Sequence, residues 1–275
     1  MEQLWVGLLL PWQYEFARHA LWVGMGAGVL CPVVGSILVV QRLALLGDVI
    51  AHATLPGLAL AYGLRWETLM GAVGSGVLAA MAVGWLRTQT EVRADGAMAL
   101  IFAGFFAAGV LLAAQLRIPI ALEDLLFGNI LNVSAADVGH TAGMALLLLF
   151  LIKIFYKEIL FYTFDRQGAA AAGLPVRALH WAVMVAAAIA IALSVRTMGV
   201  ALAIALMVGP ALTAGCFGRE LHHLMVGGAG LGVFATVVGL YLSFYANLPT
   251  GPVIALLAAG MFPVGLLLRS VWPQD

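Results

Sequence analysis

The sequence predicts an all-α, polytopic membrane protein with about eight to nine transmembrane segments. Three observations predict it. Of the 275 residues, 64% are hydrophobic and only 9% charged. The mean hydropathy is +1.07. The apolar residues also gather into runs near the roughly 20 residues that a helix needs to cross the hydrocarbon core. The longest polar stretch, residues 117–140, is too short and too apolar to fold alone, so residues 1–275 read as a single transmembrane domain. With 13 basic and 13 acidic residues the formal net charge is zero, which argues against nucleic acid or an acidic partner. Cys31 and Cys216 fall in different apolar segments and read as small packing residues, not as a disulfide.

Residues 1–18 come first. They lack the basic start of a signal peptide, and their apolar run stops at Pro11 and Gln13. Trp5, Trp12 and Tyr14 suit the headgroup level, so this piece reads as a retained interfacial segment. Apolar runs then place spans near 20–40, 43–64, 68–86, 97–116, 139–160, 178–197, 199–217, 223–245 and 251–269. The links 196–199 and 247–251 are so short that half-spans, and hence eight crossings, stay open beside nine. The excess of basic residues at one set of ends, including Arg42, Arg87, Arg93, Arg166, Arg177, Arg219 and Arg269, places the N-terminus outside and the C-terminus in the cytoplasm. Glycines recur as Gly24-xxx-Gly28 and Gly228-xxx-Gly232, a pattern that lets helix backbones approach.

The second run carries Asp48 and His52. An Asp at the centre of a membrane helix costs roughly 2.5–3.5 kcal/mol on insertion scales, so such residues commonly mark an ion or substrate path. Spacing i, i+4 puts both on one helix face, where an imidazole nitrogen and a carboxylate can hold a divalent cation such as zinc or manganese. A packing role, an Asp–His hydrogen bond, fits the same residues. Pro56, followed by Gly57, has no N–H for the His52 carbonyl. A helix break beside the pair would add that carbonyl to the ligand set; an ordinary proline kink is the other reading.

Between the fifth and sixth spans, Asp165 has the character of an N-cap. Arg166, Gln167 and Gly168 follow it, then the helix formers Ala169, Ala170, Ala171 and Ala172, a stop at Gly173 and Pro175. Residues 163–176 therefore predict a short cytoplasmic helix of about two turns. It can fit a groove on another protein, or serve only as a connector. Upstream, Glu123 and Asp124 read as external acids, and Ser134 to Asp137 has capping-box spacing at the start of the fifth span. His222 and His223 flank Glu220 at a cytoplasmic span start, as an exit ligand or as solvated residues.

Several segments together resemble a known family. They are Arg42-Leu43-Ala44-Leu45-Leu46-Gly47-Asp48 running into Ala51-His52-Ala53 and Leu55-Pro56-Gly57; Leu126-Phe127-Gly128 with Val133-Ser134; Val195 to Gly199; Gly209-Pro210-Ala211 with Thr213-Ala214; and Leu248-Pro249-Thr250-Gly251-Pro252. Over residues 20–262 the chain resembles the membrane-permease subunit of bacterial ATP-binding-cassette (ABC) importers for zinc, manganese and iron. The resemblance implies an ABC importer permease fold in the bacterial plasma membrane and a homodimer. It implies two cytoplasmic ATP-binding subunits, an extracytoplasmic metal-binding protein, and a divalent metal as transported substrate with no permanently bound cofactor. It further implies that Asp48 and His52 match the intramembrane metal path, and that Asp165 to Gly173 match the element that couples to the ATPase. The chain itself carries no Walker A motif, because Lys153 and Lys157 follow Ile152 and Tyr156 and not glycine. A proton-coupled secondary metal carrier, with Asp48 and His52 as relay, is the alternative from another class.

Overall fold

The computed structural model describes residues 12–118, 128, 130–218 and 220–271. These form α1 (Glu15–Val40), α2 (Leu46–Leu64), α3 (Thr68–Gln89), α4 (Ala94–Gln115), α5 (Ala135–Ile154), α6 (Tyr156–Phe164), α7 (Arg166–Ala171), α8 (Val176–Met198), α9 (Val200–Phe217), α10 (Leu221–Ala246) and α11 (Thr250–Val271), with no strand among the described residues. Eight of these helices are long and apolar enough to cross a membrane: α1, α3, α4, α5, α8, α9, α10 and α11. The remaining long helix, α2, has 19 residues. It carries Asp48, His52, Thr54 and Pro56, and it is largely buried among its neighbours.

Most of residues 1–18, namely 1–11, lie outside the described residues, as do Glu123 and Asp124. Glu15 to Arg18 form the first turn of α1, and Trp12 donates its indole N–H to the Tyr241 hydroxyl at 3.0 Å. The run at 139–160 is interrupted. Phe155 leaves helical geometry (φ −93°, ψ 21°) between α5 and α6, while its N–H still bonds the Leu151 carbonyl. Hydropathy gives no warning of this bend, because the residue at it is as apolar as its neighbours.

Helix association inside a bilayer has no hydrophobic drive and depends on close packing. The two glycine patterns turn out to be halves of one contact. α1 and α10 run antiparallel, with Gly24 against Thr236, Gly28 against the Gly232 backbone, and Pro32 against Gly228 and Gly232. Each step of four residues along α1 is matched by four along α10, so the glycines form a continuous seam. Of the eight spans, α1, α8 and α9 are the most enclosed, and Leu21, Leu30, Leu38, Met184, Met198 and Leu206 fill the centre. α4, α5 and α11 lie outermost. The chain reverses between α8 and α9 at Gly199 alone, whose φ of 83° with ψ of 166° is open essentially only to glycine.

α2 and α3 meet at a second glycine pair. A β-carbon on Gly57 would run into the Gly71 carbonyl oxygen, and one on Gly71 into that of Gly57. Overpacking a tight contact costs about 1–3 kcal/mol or more. Gly57→Val is therefore expected to lower the melting temperature of the purified protein, or to abolish its monodisperse elution. Gly74→Ala, which meets open space, should leave both unchanged. Equal behaviour of the two variants would show that the α2–α3 approach is not under steric control.

Candidate functional site

Asp48 and His52 occupy the first two turns of α2. Their depth follows from their neighbours. Gly47 faces the Met207 side chain midway along α9, and Ile50 shares a Gly76 contact with Ala188, midway along α8. The pair thus lies level with the middle of the central helices. His52 Nδ1 is 3.0 Å from the Asp48 backbone carbonyl and 3.2 Å from Asp48 Oδ1. A proton on Nδ1 satisfies both acceptors and leaves Nε2 with its lone pair, the arrangement in which a second partner orients an imidazole for a metal.

The ring is held by two aromatic edges that sequence reading overlooked. Phe102 and Phe106 of α4 approach His52 at 5.0 and 5.7 Å between ring centroids, at interplanar angles of 70° and 71°. They are themselves parallel to within 2°. Their i, i+4 spacing was visible in the sequence, but in a run of apolar residues it carries no signal. These rings cover His52, whose side chain is 16% exposed, while Asp48 remains 43% exposed. One wall of the site is therefore dry and aromatic, and the carboxylate side is open.

The expected helix break at Pro56 does not occur. α2 continues through Pro56 and Gly57 to Leu64. Pro56 still denies the His52 carbonyl its N–H partner, but the surroundings absorb the ring without unwinding. Gly109 of α4 leaves room beside the Pro56 ring, and Gly57 lies flat against Gly71. The added ligand at this point is at most one carbonyl of an intact helix, not an unwound segment.

The second element forms at the end of the bundle where α1 finishes, beside Gln41. Asp165 caps α7 by accepting the Gly168 N–H at 2.8 Å. The helix, Arg166–Ala171, stops at Gly173 through a Schellman closure: Leu174 N–H bonds the Ala169 carbonyl and Gly173 N–H the Ala170 carbonyl, with Gly173 at φ +81°. Ala169 is fully buried, whereas Arg166, Gln167, Ala170, Ala171, Ala172 and Gly173 are exposed. α7 is tied down from below. Arg166 donates to Gln41 at 3.3 Å, Gln41 donates to Thr163 at 3.3 Å, and the Arg166 guanidinium sits 4.9 Å over the Tyr162 ring. Burial pushes the Tyr162 phenol above its ordinary range, against the pull of Arg166 and Arg87, so it stays a neutral partner for His180 Nδ1 at 2.8 Å.

At the other end of α8, Arg196 reaches Asp137 at 3.3 Å and Glu67 at 3.9 Å, joining the starts of α3 and α5. Asp137 completes the capping box with Ser134 on the same face.

The model of the ABC 3 transport family matches residues 13–269. The chain belongs to that family. Among its relatives, the manganese transport system membrane protein MntC of Listeria innocua is 33% identical over 255 residues, covering 93% of this chain and 91% of the relative. The chelated iron transport system membrane protein YfeD of Yersinia pestis is 32% identical over 273 residues, 99% of this chain and 92% of the relative. The solved structure of PsaBC from Streptococcus pneumoniae in complex with Fab contains a chain of 29% identity, matched with a TM-score of 0.85 over 98% of this chain and 99% of that one. The family thus accounts for the whole bundle, α2 and α7 included.

Proposed function

We propose that this chain is the permease subunit of an ATP-driven importer and that it passes a divalent first-row cation inward along Asp48 and His52. The observation that carries the reading is the pair itself: an imidazole locked through Nδ1 by a carboxylate, at mid-depth, in a long helix that is largely buried in the bundle. One nitrogen and one oxygen donor suit manganese or iron, the metals in the names of the relatives, at least as well as zinc. Two donors per chain hold a cation weakly, which suits a path that must also release it.

In this reading a second copy of the chain supplies another Asp48 and His52 across a twofold axis, giving two nitrogens and two carboxylates that balance a dication. The open side of Asp48 leaves room for that partner. ATP-binding subunits dock on the exposed alanines of α7, which then lies in the cytoplasm with the C-terminus. An extracytoplasmic metal-binding protein delivers the ion to the opposite face, where Arg196, Asp137 and Glu67 gather. The chain spans a bacterial plasma membrane.

The experiment is uptake of labelled manganese into proteoliposomes holding the chain with its ATP-binding and metal-binding partners. ATP inside the assay is expected to be required, and an imposed proton gradient to have no effect. Uptake driven by the proton gradient without ATP would replace this reading with a proton-coupled carrier.

A further inference from the structure

A second cluster of metal donors stands apart from the path. Glu220, the N-cap of α10, is followed by His222 and His223, and all three are exposed. Glu220 Oε2 lies 3.1 Å from His222 Nδ1 and 4.0 Å from His223 Nδ1, and the two imidazole rings are 3.9 Å apart between centroids. One donor atom from each of the three residues falls within 4.8 Å of the others. Around a cation bound at about 2.0–2.1 Å, tetrahedral donors stand roughly 3.3 Å apart. Small side-chain rotations therefore close this set on an ion.

The local fold explains why these side chains converge. Leu221 and Leu224 bury the inner side of the first turn, which turns His222 and His223 to solvent. Gly218 offers no side chain where His223 packs, so the ring can lean toward Glu220 and His222. The helix dipole opposes a cation at this end, and the Glu220 carboxylate at the N-cap offsets it. The face is also determined. In the α1–α10 seam Gly24 meets Thr236 and Pro32 meets Gly228, and the same register places Glu220 level with Val40. The next residue, Gln41, bonds Thr163 and Arg166 beside α7.

We infer that Glu220, His222 and His223 form a surface site for a late first-row divalent cation, such as zinc or cobalt, on the face that carries α7. Two imidazoles and one carboxylate favour such ions over manganese or magnesium. The site is independent of the transport reading, because its donors lie at the end of the bundle and share no residue with the Asp48–His52 pair. It gives the permease a means of binding a competing metal on the same face as α7.

The test uses the full-length chain, without a histidine tag, carrying Asp48→Ala and His52→Ala so that the path pair contributes nothing. Titration with Co²⁺ is expected to give visible d–d absorption saturating at one equivalent and bleached by Zn²⁺. Adding His222→Gln or His223→Gln should weaken Co²⁺ binding at least about tenfold, in line with the cost of disturbing a metal's ligand set. Glu220→Gln, which keeps the side-chain shape, serves as a further variant and should weaken it too. Undiminished Co²⁺ binding in these variants overturns the site, and so does a parent chain that takes up no Co²⁺.

Discussion

Asp48→Asn and His52→Ala are each expected to abolish metal uptake while membrane insertion and assembly with the ATP-binding subunits persist. The expectation rests on the chemistry of the pair. Asn keeps the volume of Asp48 but removes the charge that balances a dication. Ala at position 52 removes the only nitrogen donor on that face of α2. Disturbing even the outer partners of a bound metal costs about 10–100-fold, so loss of a direct donor should cost at least as much. The fold is not expected to suffer, because the hydrogen bonds lost lie within one helix. A cysteine at position 52, in a chain with Cys31 and Cys216 replaced, should crosslink two copies under oxidation if the pairs converge on a shared axis. Wild-type uptake by both variants would refute the path. An intact dimer that crosslinks at lipid-facing cysteines but not at position 52 would move the pair off the axis.

The second large effect concerns α7. Ala170→Trp or Ala171→Trp is expected to release the ATP-binding subunits on co-purification and to stop uptake. Both alanines are exposed on a helix whose opposite side is anchored through Ala169, Tyr162 and Gln41, so a bulky residue there projects outward and leaves the chain's own packing intact. Folding should be normal by circular dichroism. Stoichiometric ATP-binding subunits and full uptake in both variants would reduce α7 to a connector.

Much of this architecture was legible in the sequence because bilayer thickness imposes its own period. The runs at 68–86, 178–197 and 223–245 correspond to α3, α8 and α10 with shifts of a few residues at their ends. Caps were legible for the same local reason: Ser134 with Asp137, and Asp165 with Gly168, bond within three residues of themselves. What the sequence hid depends on distant neighbours. Whether Pro56 breaks α2 is decided by Gly109 and Gly71, which come from two neighbouring helices, α4 and α3. The cover of His52 by Phe102 and Phe106, and the ties from Tyr162 to His180 and from Arg196 to Asp137, join segments that no short window contains. Phe155 bends the chain without any change in polarity. The glycine patterns were read singly, and only the fold shows that they face each other.

α8 has a property that emerges from its two ends taken together. At one end His180 is hydrogen-bonded to Tyr162, directly under α7, and at the other Arg196 grips the first turns of α3 and α5. Its 23 residues span about 35 Å without an internal proline. Such a rod neither shortens nor buckles when pushed. If α7 receives the push of an ATP-binding subunit, as proposed above, the rod would carry it as a whole-body shift to the far rim, where the Arg196 guanidinium would slide against two carboxylates. On that proposal, opening one mouth of the bundle would be geared to movement at the other, with the Arg196 clasp as a catch that high salt should loosen.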